Sequence, residues 1–266
     1  MELARRVGAL AYGAVCYAIF FATFLYFIGF VGNFAVPKSI DSGPVQPIGV
    51  ALAIDAALLA LFGLQHSVMA RPAWKREFTR LVPRSIERST YVLLSSAVLI
   101  LLYWLWQPIP IPLWQLHNDM AVGAMTALYL MGYALVLESS LLIDHFDLFG
   151  LRQVFLRAMG RAYTEKRFAT PQLYKLIRYP LYLGWIVAFW AAPSFTVGHL
   201  VFAAALTSYI LIAIPFEERD LAEQLGEPYL AWRERTPAFV PRLGAVRERE
   251  PSVRLREGSV RKGARG

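Results

Sequence analysis

Cysteine, charge and glycine-rich phosphate loops are all scarce in this sequence, and each scarcity closes off a class of protein. Its one cysteine, Cys16, lies inside an apolar run. A lone thiol excludes internal disulfides, CxxC redox chemistry and cysteine-built zinc sites. No G-x-G-x-x-G follows a strand-like segment, so a Rossmann-type domain is absent. No internal repeat recurs at a fixed period, which argues against an inverted-repeat transporter. Only 17% of the 266 residues are charged and 57% are hydrophobic, against about 25% and 45–50% in soluble domains. Disordered, collagen-like and disulfide-scaffold classes fall away, and the apolar excess requires a lipid environment.

That excess is arranged in runs. From Val7 to Val36 there is no charged residue; as a helix this run would be about 45 Å long, enough to cross a bilayer. It is too long for a signal-peptide core and shows no clear A-x-A site, so it is expected to be retained. Pro37 ends it, and residues 38–44 read as a turn-rich loop. Further segments are expected at 48–70, 90–107 and 120–143, followed by a short one at 182–192 and another at 197–214. Eleven residues cannot cross alone, so the last two read as a tilted helical hairpin. The predicted fold is an all-α polytopic membrane bundle of five to six segments. It forms one domain over residues 1–241, followed by a basic tail at 242–266 expected to be disordered.

The net charge of +8 could suggest nucleic acid, but its distribution says otherwise. With alternating spans, 26 of the 27 lysines and arginines fall on one side and only Lys38 on the other. The positive-inside rule then puts both termini in the cytoplasm of a bacterial-type inner membrane. Charge sorted by topology contacts lipid headgroups, so the membrane and not nucleic acid is the expected partner.

Ionisable groups inside spans are costly and mark candidate sites. Asp55 and His66, eleven apart, share a helix face about 16 Å apart along the axis; Glu138 and His145, seven apart, would do the same over about 10 Å. Buried helix contacts or snorkelling are the alternatives for these groups. The run from Asp144 to Gln153 flanks His145 with Asp144 and Asp147, an arrangement able to fix an imidazole tautomer and raise its basicity; an interfacial turn is the alternative. No metal is expected, since nothing has the spacing of H-E-x-x-H.

The sharpest local pattern is Arg178-Tyr179-Pro180-Leu181-Tyr182-Leu183-Gly184, followed by Glu217-Glu218-Arg219-Asp220-Leu221. A hairpin would bring the two together, facing carboxylates with aromatic rings in a pocket suited to a ligand carrying an ammonium and a sulfonium. A solvated helix end is the plainer alternative.

In this order, R-x-P-x-Y-x-G then E-E-x-x-L on a C-terminal hairpin, the chain resembles the isoprenylcysteine carboxyl methyltransferase superfamily. More of it is similar to the methanethiol S-methyltransferase branch, related to NnrU-like proteins, through residues 24–33 with 36–44, 65–72, 87–91 and 145–153. Together the stretches cover roughly residues 20 to 240. The superfamily usually has histidine where this chain has Tyr179, and the thiol branch usually has asparagine where it has Asp144.

The resemblance implies that S-adenosylmethionine binds at the hairpin through Tyr179, Pro180, Leu181, Tyr182, Glu217, Glu218 and Leu221, and that a small thiol is methylated to a thioether. Asn33, Asp55, Gln65 and Glu138 are expected near the substrate. A thiol attacks well only as thiolate, so a base is expected: His145 first, oriented by Asp147, then His66. Another lipid-accessible acceptor, such as a prenyl-thiol, a lipid amine or a longer alkylthiol, and a non-catalytic NnrU-like role are the alternatives. The charge count also makes a topological prediction. A reporter fused after Arg242 should read cytoplasmic and one inserted near Ser42 periplasmic; a periplasmic signal at the C-terminus would overturn the orientation.

Overall fold

In the computed structural model, residues 1–164 and 169–241 are described; the expected tail at 242–266 lies outside the described residues. The protein is an integral membrane helical bundle. Its elements are α1 (Glu2–Gly32), α2 (Ile48–Ala70), α3 (Pro72–Phe78), α4 (Arg84–Leu105), β1 (Pro112–Gln115), α5 (Asp119–Ile143), α6 (His145–Leu148), α7 (Leu151–Ala158), α8 (Leu173–Leu176), α9 (Pro180–Trp190), β2 (Ser194–Thr196), α10 (Val197–Leu225) and α11 (Glu227–Arg235). Among the described residues α1, α2, α4, α5 and α10 are long and apolar enough to cross a membrane, and α9 is apolar but short. Leucines, isoleucines and valines on their outer faces stay exposed, as expected where lipid is the solvent.

The observed segments differ from the sequence expectations where polar residues continue a helix or a turn interrupts one. α1 begins at Glu2 and stops at Gly32, four residues before Val36, because Asn33 takes the left-handed conformation (φ 59°) and its N–H bonds to Gly29 O. α4 starts at Arg84, six residues before Thr90, and α10 continues through Pro215 to Leu225 instead of ending at Ile214. Hydropathy marks the part of a helix that lies in lipid, not the helix itself. The pair of strands was not expected: β1 and β2 are antiparallel, with Trp114 opposite Phe195 and Gln115 opposite Ser194.

One end of the bundle is laced by hydrogen bonds. Trp106 Nε1 donates to Ile40 O (3.0 Å), Thr196 Oγ1 to Asp41 Oδ1 (2.6 Å), and Asn33 Nδ2 to Asp41 Oδ2 (2.7 Å). Below this end an aromatic core gathers four helices around Phe27, whose ring meets Tyr103, Tyr133, Trp185, Phe189 and Phe202 at centroid distances of 5.6–6.4 Å.

The hairpin is present: Trp190 Nε1 donates to Thr207 Oγ1 (3.0 Å) near its turn and Tyr182 OH to Glu217 Oε2 (2.7 Å) at its base. α9 packs flat on α5 because two glycines meet. A Cβ at Gly184 would lie 2.7 Å from Gly132 O and 2.9 Å from Val136 N. Backbone cannot yield as a side chain tip does, so Gly184→Ala should push α9 off α5. The expected cost is about 1–3 kcal/mol, as for overpacking, seen as a lower unfolding temperature in detergent; an unchanged temperature would show that the helices separate freely.

Candidate functional site

The hairpin base is assembled by a short strap of chain. Pro180 opens α9 at its first turn, where its missing N–H costs nothing. The two residues before it pair with the chain after α11: Arg178 N–H donates to Pro237 O (2.8 Å) and Tyr179 N–H to Ala238 O (3.1 Å). The Arg178 guanidinium then ties three pieces together, donating to Glu218 Oε1 on α10 (2.8 Å), to Arg233 O on α11 (3.1 Å) and to Thr236 O. Trp232 Nε1 bonds to Tyr174 O (2.9 Å), closing the strap against α8.

Two tyrosines line this base. Tyr179 OH donates to Glu218 Oε1 (2.8 Å) and Tyr182 OH to Glu217 Oε2 (2.7 Å), and their rings stack at 5.5 Å with Phe239 5.9 Å from Tyr179. Burial, then the Glu218 carboxylate, hold the Tyr179 hydroxyl well above its ordinary pKa, so it stays a donor. The two carboxylates are unequal: Glu218 is engaged by Arg178 and Tyr179, with Arg233 Nη1 at 3.9 Å. Glu217 keeps Oε1 without a hydrogen bond among the described residues, and its side chain is half-buried. Pro180 is buried here, and Leu181 and Leu221 are half-buried. The seven residues expected at this site therefore share the two elements of the hairpin base.

The expected catalytic and substrate residues divide. His66 stands next to the hairpin: its ring is 6.4 Å from that of Tyr209 on α10, and the neighbouring Ser67 Oγ is 3.0 Å from Tyr209 OH. Tyr209 is in turn within electrostatic reach of Glu217 and Tyr182. His66 Nδ1 lies 2.9 Å from Tyr91 OH on α4. Gln65, one residue before it, turns its amide to Met69 Sδ (3.2 Å).

His145 is placed differently from the expectation. α5 ends at Ile143, Asp144 sits at φ 148°, and His145 starts α6. The seven-residue spacing to Glu138 thus does not put them on one helix face, and Glu138 is exposed. The imidazole is buried and both its nitrogens are used, Nε2 by Tyr17 OH (2.8 Å) and Nδ1 by Ser140 Oγ (2.9 Å). Ser140 gives its own proton to Leu137 O (2.8 Å), which leaves its oxygen to accept from Nδ1–H and Nε2 to accept from Tyr17. Burial outweighs Asp144 and lowers the His145 pKa. Asp147 does not orient it: its carboxylate takes Arg152 (3.0 Å), Tyr163 (3.1 Å) and Gln153 (3.3 Å).

Asp55 and Asn33 lie at the opposite, laced end. Asp55 is fully buried and its Oδ1 accepts from Gln107 N (2.8 Å), capping the turn after α4, while Asn33 holds Asp41. Both stabilise loops remote from Glu217. Sequence reasoning gave no role to the side chains of Arg178, Tyr91 and Tyr209; the first two stood within quoted stretches and Tyr209 within the expected 197–214 segment, but no spacing rule joins elements so far apart in sequence.

The chain is 50% identical over 242 residues to methanethiol S-methyltransferase 2 of Bradyrhizobium diazoefficiens, covering 91% of this chain and 93% of that one. The chain belongs to the methanethiol S-methyltransferase family. It is also 48% identical to the methanethiol S-methyltransferase of Mycobacterium tuberculosis, over 89% of this chain and 97% of that one, and 47% identical to the one of Crocosphaera subtropica, over 90% and 94%. No family model and no solved structure matches.

For a methanethiol S-methyltransferase fold, the Arg178 junction is the point where α9, α10 and α11 meet. Its ion pair with Glu218 is mostly buried, at 17% and 18% side-chain exposure. Arg178→Ala would leave Glu218 short of its partner and cost about 2–4 kcal/mol. The expected result is a lower unfolding temperature in detergent and faster proteolysis within 227–241; wild-type behaviour in both would show that the strap holds without it.

Proposed function

We propose that this chain transfers a methyl group from S-adenosylmethionine to methanethiol, giving dimethyl sulfide, with the cofactor held at the base of the α9–α10 hairpin. The observation that carries this reading is the Glu217 carboxylate, pinned on one oxygen by Tyr182 and open on the other, beside the stacked rings of Tyr179 and Tyr182.

The residues present fit the group. An open carboxylate oxygen suits the ammonium or ribose hydroxyls of the cofactor through charged hydrogen bonds, and two parallel aromatic faces suit its sulfonium or its adenine. Tyr179 stands where the superfamily usually has histidine; as a neutral donor it keeps Glu218 in place beside Arg178. When bound, the cofactor supplies a methyl carbon attached to a positively charged sulfur. The chain's part is to hold that methyl in line with the thiol, positioning worth up to about 7–11 kcal/mol. Methanethiol is small and apolar enough to arrive through lipid. The distribution of lysine and arginine supports a cytoplasmic membrane location, with both termini and the hairpin base on the cytoplasmic side.

Two measurements test this. Cells expressing the chain and fed methanethiol should release dimethyl sulfide into the headspace. Purified protein should bind S-adenosylmethionine by calorimetry, with Glu217→Ala and Tyr182→Ala each weakening it roughly ten- to a hundredfold, the loss of one charge-assisted bond. Absence of product and of binding in the wild-type protein would sink the reading; unchanged binding in both variants would move the cofactor site elsewhere.

A further inference from the structure

Two histidines sit toward the Glu217 end of the bundle, and their hydrogen bonding separates them. His145 has both ring nitrogens occupied by Tyr17 and Ser140 and packs against Phe149 at 4.7 Å. To accept a proton it would have to give up a bond inside a buried aromatic nest. His66 has one nitrogen held and one open. Its Nδ1 meets Tyr91 OH (2.9 Å), with Ser95 Oγ at 3.5 Å, while Nε2 makes no hydrogen bond among the described residues and the side chain is half-buried.

One placement of the Tyr91 proton makes Nε2 the acceptor. Tyr91 OH also reaches the His66 carbonyl oxygen at 3.3 Å. A hydroxyl has one proton; given to that carbonyl, it leaves the Tyr91 oxygen to accept from Nδ1–H, and Nε2 then carries the lone pair. Rings of Phe62 (5.3 Å), Tyr91 (5.3 Å) and Tyr209 (6.4 Å) fix the imidazole plane.

We propose that His66 Nε2 takes the proton from the incoming thiol, with Tyr91 as the positioning residue that sets its tautomer. This rests on the methyl-transfer reading above. The step balances: the S–H bond breaks, its proton goes to Nε2, and the sulfur lone pair forms the new bond to the methyl carbon. The old methyl–sulfonium bond breaks with its electron pair going to the departing sulfur, and the imidazolium returns its proton to water. Ordinary thiols, with pKa of about 8.5 or above, are mostly protonated at pH 7, so such an acceptor is needed there and dispensable in alkali. The ionisable and charged groups around His66 are Tyr91 from α4, with Arg88 and Glu87 beyond it, and Tyr209 from α10, with Glu217 below it; Arg71, five residues on, is paired with Asp220 at 2.9 Å. Tyr91 and Tyr209 are neutral hydroxyls near pH 7, and His66 Nε2 is the ring nitrogen of this cluster with no hydrogen bond among the described residues.

The test compares His66→Gln with His145→Gln in purified full-length protein, measuring dimethyl sulfide formation from pH 6.5 to 9 and S-adenosylmethionine binding by calorimetry. His66→Gln should slow turnover at pH 7 by about 10²–10⁴, with cofactor affinity within about twofold. The defect should shrink toward pH 9 and for an acidic thiol such as 2,2,2-trifluoroethanethiol. In His66→Gly, added imidazole should restore part of the rate, and Tyr91→Phe should lower kcat while leaving KM nearly unchanged. His145→Gln should lose thermal stability and keep the wild-type pH profile. Wild-type turnover in His66→Gln, a loss equal at every pH and for every thiol, or a pH-dependent loss confined to His145→Gln would each overturn the proposal. If His66→Gln does not fold, Tyr91→Phe and imidazole rescue decide it. Failure of the wild-type protein to bind cofactor and form product would instead remove the methyl-transfer reading beneath it.

Discussion

A helix of eleven residues reaches about 16 Å, roughly half the hydrocarbon thickness, and α9 has only that length. Much of the bundle is arranged around the shortfall. Backbone groups after Trp190 cannot be left to lipid, where an unsatisfied N–H or C=O costs several kcal/mol. They are met from within: Leu116 N–H bonds to Pro193 O, Val197 N–H to Ile111 O, Gly198 N–H to Ile109 O, and Trp114 Nε1 to Ala192 O. The β1–β2 ribbon is thus a device for burying an interrupted helix, and its stacked Trp114 and Phe195, 4.0 Å apart, cover it. At its other end the same short helix meets α10 just where Glu217 and Glu218 stand. Short α9 and polar hairpin base are two results of one constraint.

The hairpin base also shows why paired acids of one sequence motif need not share a role. Glu218 faces Arg178 and Tyr179 and holds the strap; Glu217 faces Tyr182 and keeps an oxygen open. Successive residues on a helix point about 100° apart, so one carboxylate can serve architecture while its neighbour serves a ligand. Tyr179 is compatible with this division because its task here, donating to Glu218, requires only a hydroxyl.

How far the sequence could be read depended on the range of the interactions involved. α2 runs over Ile48–Ala70 as expected and α5 begins one residue before Met120, because hydropathy is a local property summed along a helix. The shared face of Asp55 and His66 is real as well: both turn to α4 or the turn after it, through Gln107 and Tyr91. The seven-residue relation of Glu138 to His145 failed because Asp144 at φ 148° breaks the helix between them. Asp147 looked like a partner for His145 from its position in the chain, but Arg152, five residues on in α7, offers a charge and takes it. The hydrogen bonds that rank His66 over His145 join residues 25 and 128 apart in sequence, and no local pattern announces them.

The two ends of the molecule are closed by different forces. At the Asn33 end the loops are joined by short hydrogen bonds, two of them from neutral donors to the Asp41 carboxylate, with Trp106, Ile40 and Thr196 buried among them. At the Glu217 end the ties include ion pairs, Arg71 with Asp220, Arg178 with Glu218, and Arg152 with Asp147. Dissolved salt weakens the more exposed of these pairs, of which Arg71 with Asp220 is one at 38% and 33% exposure, and acts less on hydrogen bonds and apolar packing than on ion pairs. The bundle is thus fastened like a clothes-peg, with packing at the hinge and charge among the ties at its jaws, so ionic strength acts mainly on the jaws.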